Sequence, residues 1–159
     1  MNNRESKHEI LAVCSGEAVK LEDVCDDVFS SGVLGKGFAI IPDNNEFFSP
    51  VDGVVSNAYD TGHAYTVSAK DGLEILIHIG IDTVELEGEY FNPAVKANVS
   101  VSRGDKIAYA NTSNILSRGY DPITVVIITN PEMIDKFSIS YGKVKAGDTV
   151  MSYTLKSST

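Results

Sequence analysis

Two of the three histidines in this chain, His63 and His78, lie within residues 60–85. His78 belongs to Glu74-Ile-Leu-Ile-His-Ile-Gly80, where Ile75, Ile77 and Ile79 alternate with Leu76 and His78. That period of two places the imidazole on one face of a strand beside a leucine. Partial desolvation there favours a neutral ring with one free nitrogen, which could serve as nucleophile, base or metal ligand. His63 follows Thr61-Gly62, and a hydroxyl two residues upstream can bond one ring nitrogen and so select the tautomer. Zinc hydrolysis would need a third protein ligand, from Asp60, Asp82 or Glu85, and no HxH or HExxH spacing is present. General acid–base catalysis would need a cleft that the sequence does not reveal. Phosphoryl transfer through a phosphohistidine needs only a nucleophilic imidazole and a nearby donor for the phosphoryl oxygens. The pair supplies both.

The element that must position the pair is a hairpin with a turn at Lys70-Asp71-Gly72. A two-residue Lys70-Asp71 loop pairs residues whose numbers sum to 141 and sets His63 opposite His78. An Asp71-Gly72 loop gives a sum of 143, with His63 facing Gly80 and the rings diagonal on one face. A three-residue loop would send the two side chains to opposite faces. The chemistry uses the first register most directly.

Around this hairpin the chain is a succession of short apolar and β-branched runs cut by glycine, at 10–14, 37–41, 53–58, 65–69, 74–79, 106–110, 123–129 and 149–155. This pattern predicts an all-β fold, an antiparallel sandwich or barrel-like domain. Helix signals are short: one turn at 26–29, another at 113–117, and a start at 131–137 behind Asn130-Pro131-Glu132. Val101-Ser-Arg-Gly-Asp-Lys-Ile107 echoes Val144-Lys-Ala-Gly-Asp-Thr-Val150, and residues 15–19 echo 51–55, which reads as duplicated hairpin units. Residues 1–9 read as a flexible tail containing a bystander His8, residues 10–155 as one domain, and 156–159 as a C-terminal tail.

A net charge of -9 argues against nucleic-acid and anionic-membrane partners and suits partners of positive charge. Cys14 and Cys25 are too few for a disulfide framework and lack zinc-knuckle spacing, so they read as free thiols. The polar N-terminus has no signal-peptide core and the longest apolar run, 123–128, is far short of a membrane span. A cytoplasmic protein with no direct membrane insertion is expected.

The stretch His78-Ile-Gly-Ile-Asp-Thr-Val-Glu-Leu86 resembles the active-site signature of the glucose-type enzyme IIA family of the bacterial phosphoenolpyruvate-dependent sugar phosphotransferase system. Thr61-Gly-His-Ala64 is similar to that family's second-histidine motif, and matching stretches extend from about residue 10 to residue 155. The resemblance implies an antiparallel β-sandwich that accepts a phosphoryl group from the phosphocarrier HPr and passes it to a cysteine on a sugar-specific IIB domain. It implies that His78 is the acceptor through Nε2, with Nδ1 held by the Gly80 carbonyl, and that His63, oriented by Thr61, hydrogen-bonds the phosphoryl group. Asp26 and Asp82 match acidic positions that meet a basic side chain of HPr. Phe29, Tyr59 and Leu76 match an apolar patch around the site. No metal is required, although His63 and His78 could bind Zn²⁺ with a carboxylate from a partner. Tyr90 stands where the family has glycine, and Lys36 where it has an acid.

Two other readings compete. One is a zinc-dependent hydrolase of similar β-fold. The other is a regulatory module that binds target proteins and has lost transfer.

Overall fold

The computed structural model describes residues 7–157. Among the described residues, fourteen strands form three antiparallel sheets. The first strands are β1 (His8–Leu11), β2 (Gly16–Lys20), β3 (Lys36–Pro42), β4 (Glu46–Phe48) and β5 (Gly53–Ala58). The hairpin strands β6 (Ala64–Ala69) and β7 (Glu74–Ile79) follow, then β8 (Phe91–Pro93), β9 (Ser100–Val101) and β10 (Lys106–Ala110). The last are β11 (Thr124–Ile128), β12 (Ile134–Ile139), β13 (Gly142–Val144) and β14 (Thr149–Leu155). Among the described residues, helix is confined to α1 (Asp27–Ser30), α2 (Thr112–Ser117) and single 3-10 turns. The all-β antiparallel class with only short helical turns therefore stands.

The large sheet has the order β13-β2-β3-β11-β7-β6-β5-β9, and the small ones β1-β14-β12 and β4-β10-β8. One apolar cluster fills the space between them, with Phe38, Ile75, Ile77, Ile79 and Val126 from the large sheet meeting Ile10, Met151, Phe47 and Ile107 from the small ones. Each such aliphatic side chain, wholly buried, contributes roughly 1.5–3 kcal/mol. β11 is buried at every position because its second face carries another, smaller cluster of Leu21, Val24, Phe29, Ala39, Val125 and Ile127. His78 lies on that second face, in a row that runs Val19, Ala39, Val125, His78, Ala64 across five strands.

Both repeats are real in placement: residues 15–19 and 51–55 open the antiparallel pairs β2–β3 and β5–β6, whereas the Gly-Asp turns do not join paired strands. In both Gly-Asp turns the aspartate closes the loop reciprocally: Ser102 N–H donates to Asp105 Oδ2 and Lys145 N–H to Asp148 Oδ2, each at 2.8 Å. Each turn leads out of the large sheet into a small one, β9 to β10 and β13 to β14. Exchanging β1, β2, β3, β11, β12, β13 and β14 with β4, β5, β6, β7, β8, β9 and β10 maps the strand orders onto one another. The duplicated unit is thus half of the fold, and the pair β7–β11 lies at its centre.

Two further expectations are corrected. Residues 131–137 do not start a helix: one 3-10 turn (Pro131–Met133) gives way to β12, which pairs with β14. The expected cap, Asn130, is engaged elsewhere. Its side chain accepts from Glu74 N–H at 2.8 Å and donates to the Gly72 carbonyl at 3.0 Å, bracing the hairpin tip. His8 and Glu9, read as part of a flexible tail, belong instead to β1, where they pair with Tyr153 and Ser152 of β14. His8 stacks on Tyr153 at 5.3 Å and faces Asp71. Residues 1–6 and 158–159 lie outside the described residues.

Candidate active site

The hairpin register is the one that would ordinarily separate the histidines. Ala64 pairs with His78 and Ser68 with Glu74, a sum of 142, and Ala69 N–H donates to Leu73 O across a three-residue Lys70-Asp71-Gly72 loop. Neither two-residue loop forms. The rings nevertheless meet, with centroids 5.0 Å apart and planes at 81°. His63 lies outside β6, in the bend that follows Gly62, so the alternation of the strand does not bind it. Gly62 makes that bend with φ +77°, and a Cβ there would come within 3.1 Å of Phe91 Cβ and 3.2 Å of Pro93 Cδ. The close approach and the left-handed backbone together call for glycine. The His63 carbonyl accepts from Ile79 N–H at 2.7 Å, tying the bend to the strand that carries His78.

Each ring has one nitrogen engaged. His78 Nδ1 donates to the Gly80 carbonyl at 2.8 Å, which leaves Nε2 with its lone pair. His63 Nδ1 lies 2.5 Å from Thr61 Oγ1. With the hydroxyl donating, His63 keeps its proton on Nε2. One ring then offers a nucleophile and the other a donor. Burial lowers the His63 pKa to about 4, with the neighbouring His78 adding to the effect. Burial also lowers His78, opposed by the Gly80 carbonyl and then by Asp26 and Asp82. Both shifts favour the neutral form of the rings at pH 7.

The expected surrounding residues take distinct places. Phe29 packs its ring 5.1 Å from His78, and Tyr59 sets its ring 5.4 Å from His63. Leu76 packs on the second apolar cluster, one strand alternation from His78. Asp26 caps α1, accepting from Val28 N–H at 2.9 Å, and so fixes the turn that presents Phe29. Asp82 is exposed with φ 58°, beside the segment that follows His78. Sequence reading missed Phe91, whose ring lies 6.4 Å from His63; nothing in its neighbours in sequence pointed to it. Tyr90 adopts φ 76°, the left-handed backbone of the glycine it replaces, and its hydroxyl lies 3.4 Å from Arg118. Among the described residues no third histidine, cysteine or carboxylate joins the imidazoles to make a metal-binding group. The ligand set of a zinc hydrolase is therefore not assembled.

Residues 8–134 match the family described as the phosphoenolpyruvate-dependent sugar phosphotransferase system, EIIA 1. The chain belongs to this EIIA family. It is 38% identical over 149 residues to the glucose-specific EIIA component of Haemophilus influenzae, covering 94% of this chain and 90% of that one. It is 42% identical over 152 residues to the beta-glucoside-specific EIIBCA component of Bacillus subtilis, covering 92% of this chain and 24% of that longer protein. The fold superposes on the glucose permease IIA of Mycoplasma capricolum with a TM-score of 0.89 and 35% identity, over 96% of this chain and 99% of that one. As an EIIA protein it is a phosphotransferase component that receives a phosphoryl group from HPr, carries it on histidine and delivers it to a IIB domain. The zinc hydrolase reading falls away. Among the described residues no helix is long and apolar enough to cross a membrane.

Proposed function

We propose that His78 is the phosphoryl acceptor, through Nε2, and that His63 stabilises the transferred group by donating from its own Nε2. The observation that carries this reading is that both Nδ1 atoms are engaged, which leaves the Nε2 of each ring free for the phosphoryl group. The Gly80 carbonyl holds the proton of His78 on Nδ1, and Thr61 lies within hydrogen-bond distance of Nδ1 of His63. In the forward step the His78 lone pair attacks phosphorus and the N–P bond of phospho-HPr breaks, its electron pair returning to the HPr imidazole. The positive charge that develops on the His78 ring is stabilised by the Gly80 carbonyl at Nδ1. In the onward step a IIB thiolate attacks phosphorus, the electron pair returns to Nε2, and His78 is neutral again.

The surroundings suit this cycle. Phe29 and Tyr59 cover the rings and limit water, which would otherwise hydrolyse the phosphohistidine. Asp26 and Asp82 stand close enough to His78 to affect its charge and would meet a basic side chain of HPr. Transfer needs no metal. The two imidazoles supply half of a tetrahedral zinc set, so a zinc ion would need carboxylates or water from outside this site. The complementary pair favours transfer over a binding-only module. The reaction belongs to the cytoplasm, consistent with both cysteines being free thiols.

Incubation with phosphoenolpyruvate, enzyme I and HPr tests the reading. One acid-labile phosphoryl group per chain is expected, absent in His78→Ala, and taken up more slowly in a folded His63→Gln. Undiminished label on His78→Ala would overturn it.

A further inference from the structure

We infer that Thr83 is a positioning residue for the transfer, holding both histidines in register through the backbone of Ile79. The inference rests on His78 being the acceptor. Thr83 is completely buried, and its hydroxyl donates to the Ile79 carbonyl at 2.5 Å. A buried threonine hydroxyl needs a partner, and the choice of this carbonyl has consequences in two directions. The N–H of the same residue, Ile79, donates to the His63 carbonyl at 2.7 Å. The carbonyl of the next residue, Gly80, accepts from His78 Nδ1. Thr83 is thus joined to one histidine through the Ile79 N–H and to the other through the Ile79–Gly80 peptide and the Gly80 carbonyl on the plane that follows it.

The geometry around Gly80 shows why the hydroxyl is needed. Gly80 has φ +87° and Asp82 has φ 58°, so the chain folds back tightly after His78 and brings Thr83 against the start of its own loop. Gly80 N–H donates to Ile123 O and Ile81 N–H to Asp121 O, each at 2.9 Å, which pins one side of both peptide planes. The Thr83 hydroxyl pins the other side of the first plane. Its methyl group, Cγ2, lies 2.4 Å from where a Cβ on Gly80 would stand, so Thr83 occupies the space that glycine leaves. The Gly80 carbonyl stands on the next plane, Gly80–Ile81, and a shift of the Ile79–Gly80 plane reaches it through the Gly80 backbone angles; such a shift would turn it away from His78 Nδ1 and release the ring to its other tautomer, in which Nε2 carries the proton and cannot attack phosphorus.

Thr83→Val keeps the shape and removes the hydroxyl; Thr83→Ser keeps the hydroxyl. The decisive readout is the His78 tautomer, from ¹⁵N imidazole shifts of the unphosphorylated protein, alongside the rate of phosphoryl acceptance from phospho-HPr. Thr83→Val is expected to show a mixture of His78 tautomers and to accept phosphoryl roughly ten-fold more slowly, the order seen when partners that orient a functional imidazole are removed. Thr83→Ser is expected to match the parent in both. If Thr83→Val fails to fold, Thr83→Ala takes its place against Thr83→Ser. A folded variant lacking the hydroxyl, with His78 still wholly Nδ1-protonated and acceptance unchanged, would overturn the inference. Label found elsewhere than on His78 in the parent would instead sink the acceptor assignment, and the tautomer comparison would remain informative.

Discussion

At the scale of the residue, the site depends on a histidine that stays neutral. His63 is buried with only 3% of its surface exposed, and its pKa falls to about 4. An unfolded chain would bind that proton near pH 6.5. Because the folded-state value is the lower one, the unfolded state binds more protons between the two, and stability falls as pH drops through that window. The contribution is fully present above pH 6.5 and diminishes toward pH 4, by on the order of 3 kcal/mol in total. Carboxylates titrate near the bottom of the same range, so the comparison is with His63→Gln, which should lack this slope between about pH 6.5 and about pH 5. Denaturant unfolding at several pH values reads it. The same slope in both proteins, or a His63 ring that titrates near 6.5 by NMR, would show that the ring is not held neutral by burial.

At the scale of the element, Asp26 has two separable roles. Its carboxylate caps α1 and thereby seats Phe29 against His78, and its charge raises the His78 pKa. Asp26→Asn keeps a capping oxygen and removes the charge. Asp26→Ala removes both, at a cost of about 1 kcal/mol from the lost cap. Faster hydrolysis of the phosphohistidine is expected in Asp26→Ala alone, and weaker association with HPr in both. Equal hydrolysis rates in the two variants would mean that the cap does not govern the collar. This helix turn was legible because the acid directly precedes it in sequence. The hairpin register was not, since Lys70-Asp71-Gly72 accommodates loops of two or three residues and only packing against Asn130 and Tyr153 selects one. The convergence of the histidines was legible from their residue types and the Thr-Gly that precedes His63, yet its cause is the bend, not the pairing. The helix expected after Asn130 failed because that side chain serves the neighbouring turn. Short polar edge strands such as β12, exposed along most of its length, carry no apolar alternation to be read.

At the scale of the molecule, the two halves related by strand exchange put their central pair, β7 and β11, under the site. His78 therefore sits on the most fully supported strands of the large sheet, with the main core behind it and only the small cluster and the rim in front. On the proposed assignment, that placement gives rigidity to a nucleophile that must meet two different proteins in turn. On the proposed roles, the net charge of -9, with Asp26 and Asp82 close to His78, would steer a basic partner toward this face. The rate of phosphoryl transfer from HPr should accordingly fall several-fold between about 0.05 M and about 0.5 M salt, as screening shortens the reach of these charges. A rate that does not change with salt would remove steering from the account.

The most direct measurement is made on the chain phosphorylated through HPr with ¹⁵N-labelled histidine. Phosphorus–nitrogen coupling should place the phosphoryl group on Nε2 of His78, with the Nδ1 proton retained. Coupling to Nδ1 of His78, or to either nitrogen of His63, would contradict the assignment of roles to the two rings.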